Sequence, residues 1–354
     1  MARRCAPPYQ GSRVVKTIEL NAPYLIFLGS ETEPTYAKTG AGLVEWRRER
    51  CLGQLSLVAD GVDLGLPAMT LREAAAAGAR SLVIGTAAVG GGIPPDWIPV
   101  LEEAAGLGLD IVAGVHRRLA DIPRLRAAAE RAGVRLVDVR EPPAELPVGS
   151  GRKRRGLRLL TVGTDCAVGK KYTALALERD MRGAGLAADF RASGQTGIMI
   201  AGQGIPIDAV VSDFVAGAAE LLSPDNAAGH WDLVEGQGSL FHPGYAAVTV
   251  GLLLGSQPDA FVVCHEAGRT RIAGWPDYPL PSIEAVIERT IAIGSLTNPS
   301  IRCVGVSVNT SRLAPAGRKS YLAGLAARLD LPCVDPLQGS TAPIVARLRD
   351  LGGA

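Results

Sequence analysis

The chain has 354 residues, 47% of them apolar and 20% charged, with a formal net charge of +2. That is ample material for cores and too long for a typical single one, so two domains are expected. The near-neutral balance offers no broad basic face for nucleic acid, and no stretch reaches the roughly 18 uninterrupted apolar residues of a membrane-spanning helix.

Six cysteines, Cys5, Cys51, Cys166, Cys264, Cys303 and Cys333, form no C-x-x-C pair. The pattern reads as a reducing compartment, not a disulfide scaffold or zinc site. Met1 to Arg13 is polar and proline-bearing, without the apolar core of a signal peptide, so a cytoplasmic location is expected.

The first 145 residues alternate strands and helices. Tyr24 to Gly29 reads as a buried strand opening into a loop, Ser30 to Thr39, with a helix over Gly42 to Arg50. Strands then follow at Leu55 to Val58, Ser81 to Ile84, Asp110 to Val112 and Arg135 to Asp138, with helices at Met69 to Ala77, Trp97 to Leu107 and Ile122 to Ala132. Such alternation implies right-handed crossovers and a parallel sheet, hence a Rossmann-like domain over 1–145. Two of its loops are candidates for ligand contact. Gly85 to Gly92 follows a strand but lacks G-x-G-x-x-G, which argues against a dinucleotide site. Lys38, in the loop Pro34 to Gly40, is a surface lysine or a contact to a substrate anion.

Residues 146–156 read as a linker. Prolines and glycines break regular structure around it, and Arg152 to Arg155 is a run of four cations. Such a run reads as solvated, or as an aid in holding a multiply charged ligand.

The second domain, 157–354, opens on the most informative stretch of the chain. Leu157 to Val162 reads as a buried strand, Tyr172 to Arg182 as a helix, and between them run Gly163, Thr164, Asp165, Cys166, Ala167, Val168, Gly169, Lys170, Lys171, Tyr172 and Thr173. Strand, glycine-bearing loop, lysine and helix are the parts of a phosphate cradle. The spacing departs from G-x-x-x-x-G-K-[ST]: Thr164 stands at the first glycine, Lys171 at the magnesium-binding hydroxyl, and Thr173 comes two residues late. Cys166 invites a nucleophile reading, but no histidine is near it in sequence and a small residue is enough to explain the position.

Further strands are expected at Ala187 to Arg191, at Ala209 to Val211 ahead of an acidic turn with Asp213, at Trp231 to Val234, at Asp259 to His265 and at Arg302 to Asn309. Ala192 to Gly197 reads as a polar loop facing ligand, with Ser193, Gln195 and Thr196 as contacts. Glu235 ends its strand just before Gly236, where a carboxylate can reach a metal bound to phosphate oxygens. Gln237 follows, and Asn309 is placed to read a nucleotide base.

G-T-D-x-x-V-G-K at 163–170, V-E-G-x-G at 234–238 and V-N-T at 308–310 resemble the nucleotide-binding fold of dethiobiotin synthetase. That resemblance implies phosphate binding by Lys170, magnesium held by Glu235 and Asp165, and a base contact from Asn309. A longer resemblance spans nearly the whole chain. G-T-D-C-A-V-G-K-K-Y-T-A, R-A-S-G-Q-T-G and V-E-G-Q-G-S-L, behind a Rossmann-like domain, are similar to a two-domain family described as a domain of unknown function, one branch of which is the D-glutamate N-acetyltransferases. The double lysine and late threonine fit this family's loop.

The family resemblance implies transfer of acetyl from acetyl-CoA to the amino group of an acidic amino acid, with the loop gripping the coenzyme's diphosphate and Lys171 taking magnesium's place. Base candidates are Asp213, Glu235, His242 and His265, while Arg269 and Arg271 are candidates for a substrate carboxylate. Asp213 has the plainer reading of a helix cap. The alternatives are a carboxylate-activating enzyme using ATP and magnesium, and a nucleotide-binding regulator that catalyses nothing. A homo-oligomer is the expected state.

Overall fold

The computed structural model describes residues 17–86, 92–115 and 117–352. The readings of Met1 to Arg13, of Cys5 and of residues 87–91 in the Gly85 to Gly92 loop lie outside these. The described residues divide into two compact units, Thr17–Pro142 with Gly194–Ala209, and Pro143–Ser193 with 210–352.

In chain order the first unit contains β1 (Ile18–Glu19), β2 (Tyr24–Gly29), α1 (Lys38–Arg47), β3 (Cys51–Ser56), α2 (Leu71–Ala76), β4 (Ser81–Ile84), α3 (Ile98–Gly106), β5 (Asp110–Ala113), α4 (Pro123–Ala132) and β6 (Leu136–Asp138). The chain continues through β7 (Leu157–Gly163), α5 (Lys170–Gly183) and β8 (Ala188–Arg191) of the second unit. It returns to the first for α6 (Gln195–Ala201) and β9 (Gln203–Gly204), the latter antiparallel to β1. The second unit resumes with α7 (Val215–Leu222), β10 (Trp231–Val234), α8 (Ala246–Ser256), β11 (Ala260–Glu266), the hairpin β12 (Arg271–Ile272) and β13 (Trp275–Pro279), α9 (Ile283–Gly294), β14 (Arg302–Asn309), α10 (Pro315–Leu329), β15 (Cys333–Val334) and α11 (Ala342–Gly352).

The fold is mixed α/β, as the alternation of elements predicts. The first unit's sheet is parallel in the order β3-β2-β4-β5-β6. All six residues of β2 are buried, because helices cover both faces of such a sheet. Leu25 and Phe27 face a core with Leu101, Ala105 and Leu125 of α3 and α4. The second sheet runs β15-β14-β11-β7-β10-β8, again parallel. Leu177 and Met181 of α5 pack on Leu159, Leu233 and Val262 of that sheet, at the four-residue spacing that keeps two side chains on one helix face. Burying a side chain such as Leu177 contributes about 1.5–3 kcal/mol.

Both sheets place their first strand beside the point where strand order reverses, and loops at the carboxyl ends of strands flanking such a point are where open α/β sheets bind ligands. In the second unit that loop is 164–169. No helix among the described residues is long and apolar enough to cross a membrane.

Four local expectations are corrected. Ala209 to Val211 is not a strand: short 3-10 turns occupy Ile207–Ala209 and Ser212–Phe214, and Val211 is exposed. Residues 195–197 are helical, not loop, because Gly194 is extended and starts α6. Lys38 is the first residue of a helix instead of a loop residue. The Arg152 to Arg155 run is not simply solvated. Arg154 is buried, donating to the carbonyls of Ser223, Gly255 and Ser256, and burial lowers its pKa to about 10.

Candidate functional site

β7 ends at Gly163 and the chain turns back on itself before α5 begins at Lys170. Gly169 adopts φ +94°, a left-handed conformation that suits glycine, and Ala167 holds φ +53°. A Cβ on Gly163 would lie 2.8 Å from Val168 and 2.9 Å from the Asp165 carbonyl oxygen, so the loop closes over its own start. Lys170 is buried, with Nζ donating to that same carbonyl at 2.8 Å. Its ammonium has three donors and one hydrogen-bond partner among the described residues. Burial lowers the lysine's pKa, opposed by nearby groups including Asp165 and Glu235. A desolvated cation short of acceptors at a helix N-terminus is a setting that an anion completes.

Arg269 spends its N–H groups on the loop and on Glu266. Nη1 donates to Asp165 Oδ2 at 2.8 Å and to the Cys166 carbonyl at 2.9 Å, Nη2 reaches the Ala167 carbonyl at 3.4 Å, and Nε and Nη2 pair with Glu266. Asp165 is fully buried and also accepts the backbone N–H groups of Cys166 and Ala273. Arg269 and Asp165 therefore set the shape of the cradle.

The opposite wall is the end of β10. Gly236 is required there, because a Cβ would lie 1.6 Å from the Thr161 carbonyl oxygen; its N–H donates to Thr161 Oγ1 at 2.9 Å. Ser239 donates to the Gly163 carbonyl at 2.9 Å. Glu235 Oε2 accepts from the Ser193 N–H at 3.0 Å, and Gln237 Nε2 donates to Ser193 Oγ at 3.0 Å. Between the two walls lies a cavity of about 390 Å³, lined by Lys170, Lys171, Tyr172, Glu235 and Gln237 with loop residues including Cys166 and Gly169.

β11 supplies the third side. Thr164 N–H bonds the Cys264 carbonyl, and Thr164 Oγ1 lies 3.2 Å from His265 Nδ1. Burial lowers the His265 pKa, with Arg269 adding to the effect, which favours the neutral ring. Thr173 is buried and faces the sheet, 2.7 Å from Ser307 Oγ and within reach of the Cys264 thiol. Burial pushes the Cys166 thiol up, away from ready thiolate formation. Asn309 turns its Oδ1 onto the Ser311 N–H.

The second unit thus brings together the 163–173 loop, Ser193, Glu235, Gln237, His242, His265 and Arg269. Asp213 belongs to this unit but is exposed, and α7 has no side-chain cap, so the capping reading fails. Arg271 is exposed on the β12–β13 hairpin. Lys38, Gln195 and Thr196 lie in the first unit; Lys38 is exposed, and the Thr196 methyl lies 3.8 Å from where a Cβ on Gly42 would stand. Sequence reasoning missed Ser239, whose position directly after a glycine pair was its one signal. It also missed Tyr245 and Trp275, which enclose His242 with ring centroids 4.5 Å away in each case.

Residues 147–345 match a P-loop domain described as a domain of unknown function, DUF1611 C-terminal, and residues 49–142 match its N-terminal Rossmann-like domain. The chain belongs to the DUF1611 family. A D-glutamate N-acetyltransferase of Tritonibacter scottomollicae is 47% identical, the match covering 93% of this chain and 99% of that protein. One of a Pseudoalteromonas species is 45% identical over 94% and 100%. A DUF1611 crystal structure from Anabaena variabilis superposes with a TM-score of 0.80 at 34% identity, covering 93% of this chain and all of that one. DUF1611 relatives this similar over nearly their whole length place the chain among enzymes of the transferase class.

Proposed function

We propose that the chain transfers an acetyl group from acetyl-CoA to the amino group of an acidic amino acid of the D-glutamate kind. In this reading the 163–173 loop holds the coenzyme's diphosphate. Two relatives of 47% and 45% identity are named D-glutamate N-acetyltransferases, which supports the acetyl transfer and the kind of acceptor.

The observation that carries the reading is the set of groups around Lys170. A magnesium ion on a nucleotide needs a hydroxyl directly after the loop lysine and a carboxylate with free oxygens. Here Lys171 occupies the hydroxyl's place, and Thr173 is committed to Ser307. Asp165 is engaged by Arg269 and two backbone N–H groups. With the hydroxyl absent and Asp165 engaged, Glu235 would be the one carboxylate of the pair left to hold magnesium, and no step is derived through the ion. Two lysines at the mouth of one cavity fit a diphosphate gripped by charge and backbone N–H groups alone.

Free-thiol release from acetyl-CoA, measured beside ADP release from ATP across a panel of acidic amino acids, tests this. Thiol release that needs the amino acid and neither ATP nor magnesium is expected. Magnesium-dependent ADP release would replace the reading with carboxylate activation, and silence in both assays would favour a nucleotide-binding regulator.

A further inference from the structure

The segment between β10 and α8 folds back on the wall of the cavity. Gly238, which lines that cavity, holds φ +64°, and a Cβ on it would lie 2.1 Å from the Tyr245 carbonyl oxygen. Thr249 Oγ1 donates to the Gln237 carbonyl at 2.7 Å and reaches the Tyr245 carbonyl at 3.4 Å. Tyr245 therefore stands directly against the wall that Gln237 and Gly238 form. His242 fixes it there: the Nδ1 of this buried ring accepts the backbone N–H groups of Gly244 at 3.1 Å and of Tyr245 at 3.2 Å.

The side chains continue the arrangement. The Tyr245 ring stacks on His242 with centroids 4.5 Å apart, Trp275 meets His242 edge-on at 4.5 Å, and Trp275 lies 6.0 Å from Tyr245 at 80°. These are the stacked and edge-to-face geometries that aromatic rings prefer. The hairpin that carries Trp275 is itself tied to the phosphate loop, since the Ala273 N–H donates to Asp165 Oδ2 at 2.8 Å. A ring nitrogen of His242 also lies within 4.8 Å of a carboxylate oxygen of Asp165 and of the Cys166 sulfur. The aromatic group is thus anchored at the Asp165–Cys166 end of the cradle.

Tyr245 is nevertheless 52% exposed. One face of its ring is covered by His242, so the opposite face is open, and the neighbours hold it in one orientation. A ring fixed in this way at the rim of a cavity offers a ligand contact area at little cost in ordering.

The cradle decides which part of a ligand meets that ring. A phosphate-loop lysine reaches the far end of the bound phosphates, away from the nucleoside. Lys170 Nζ rests on the Asp165 carbonyl, so the Asp165–Cys166 end is where a group esterified to the outer phosphate leaves. In coenzyme A that group is the pantetheine arm, which begins with a methylene and a carbon bearing two methyls and continues through uncharged amides. Such a chain packs on an aromatic face and needs no counter-charge, whereas the phosphates need Lys170 and Lys171.

We propose that the Tyr245 ring, braced by His242 and Trp275, is the shelf on which the pantetheine arm lies as it leaves the phosphates, an inference that rests on the acetyl-CoA reading above. The acetyl-bearing sulfur is then the length of the arm away from Lys170. Acyl transfer accordingly takes place outside the cavity of about 390 Å³, not among the groups that line it.

Three ligands separate the arm from the rest: pyrophosphate, ADP, and dephospho-coenzyme A, which differs from ADP by the pantetheine arm alone. Isothermal titration of the full chain compares wild type with Tyr245→Ala and Tyr245→Phe. Tyr245→Ala is expected to raise the Kd for dephospho-coenzyme A about tenfold, the scale of one lost aromatic contact, with Tyr245→Phe at wild-type affinity. The Kd values for pyrophosphate and ADP should not move. Equal losses for ADP and dephospho-coenzyme A would put the adenosine on the ring and overturn the proposal. Weakening of all three ligands would mean that the ring only shapes the loop, which overturns it too, and a Tyr245→Phe as weak as Tyr245→Ala would move the contact to the hydroxyl and do the same. A wild-type chain that binds ADP but neither dephospho-coenzyme A nor coenzyme A would remove the acetyl-CoA reading itself. One that binds both while Tyr245→Ala changes nothing would remove only the shelf.

Discussion

Each sheet reverses its strand order beside its first strand, and among the described residues the crevice of the second is built as a cradle. In the first unit β2 and β4 flank the reversal, and there the backbone closes the gap: Gly40 N–H bonds the Gly85 carbonyl at 2.8 Å, and a Cβ on Gly85 would lie 3.1 Å from Gly40 Cα. In the second, β7 and β11 flank it, and the loop between β7 and α5 is held open by Arg269 while a buried lysine lies in it. Topology supplies a place for a ligand in both. A phosphate site further requires a cation short of acceptors at a helix N-terminus, which Lys170 supplies in the second crevice; residues 87–91, at the end of β4 in the first, lie outside the described residues.

The sharpest way to break that contrast is Lys170→Ala. It removes the buried charge without touching the glycines, so acetyl-CoA affinity and thiol release should each fall at least about 100-fold, roughly 3 kcal/mol for a buried charge-assisted contact. Isothermal titration and the thiol assay read the two losses, and undiminished binding would remove the phosphate from the cradle. Burial lowers the pKa of Lys170 in the ligand-free fold, so its charge is lost at a lower pH than an exposed lysine's and affinity should weaken as pH rises through that lowered value.

Arg269→Ala should act through stability first. It leaves the fully buried Asp165 carboxylate without its cation, at a cost of about 3 kcal/mol. Urea unfolding reads this cost, and pairing the change with Asp165→Asn should recover part of it, because no uncompensated charge remains. A double variant no more stable than the single one would mean that Arg269 acts through the loop carbonyls instead.

The alternation of apolar runs with helical stretches made both sheets legible, since a strand buried on both faces has few other readings. The cradle was legible for the same reason: it lies between two strong elements, with Lys170 at a fixed offset from Gly169. What the sequence hides is side-chain direction. Thr173 is two residues from the expected hydroxyl, yet one turn of helix aims it at Ser307 in the sheet. Arg269 lies about a hundred residues from Asp165 in sequence, and nothing local announces that its guanidinium is turned onto the loop. Gly194 starts a helix that belongs to the other unit, a long-range assignment that no window of polar residues reveals.

A smaller effect should separate the two units through pH. At the carboxyl edge of the first sheet, Asp138 ends β6, and both its carboxylate oxygens lie 3.1 Å from the Leu119 N–H. Burial raises its pKa to about 6, opposed by that N–H and aided by Glu141. The folded state therefore holds this proton more tightly than the unfolded chain, whose aspartates titrate near 3.9. The stabilisation is complete below about pH 4 and is lost as pH rises through 6. The side chain is only half-buried, so solvent screening reduces the raw shift to about 1 kcal/mol. Asp138→Asn, which cannot ionise, should gain about that much on wild type between pH 4 and pH 7 in urea unfolding of the first unit. A difference between the two proteins that stays constant over that range would show that Asp138 titrates alike in the folded and unfolded chain, and that its environment is wetter than its burial implies.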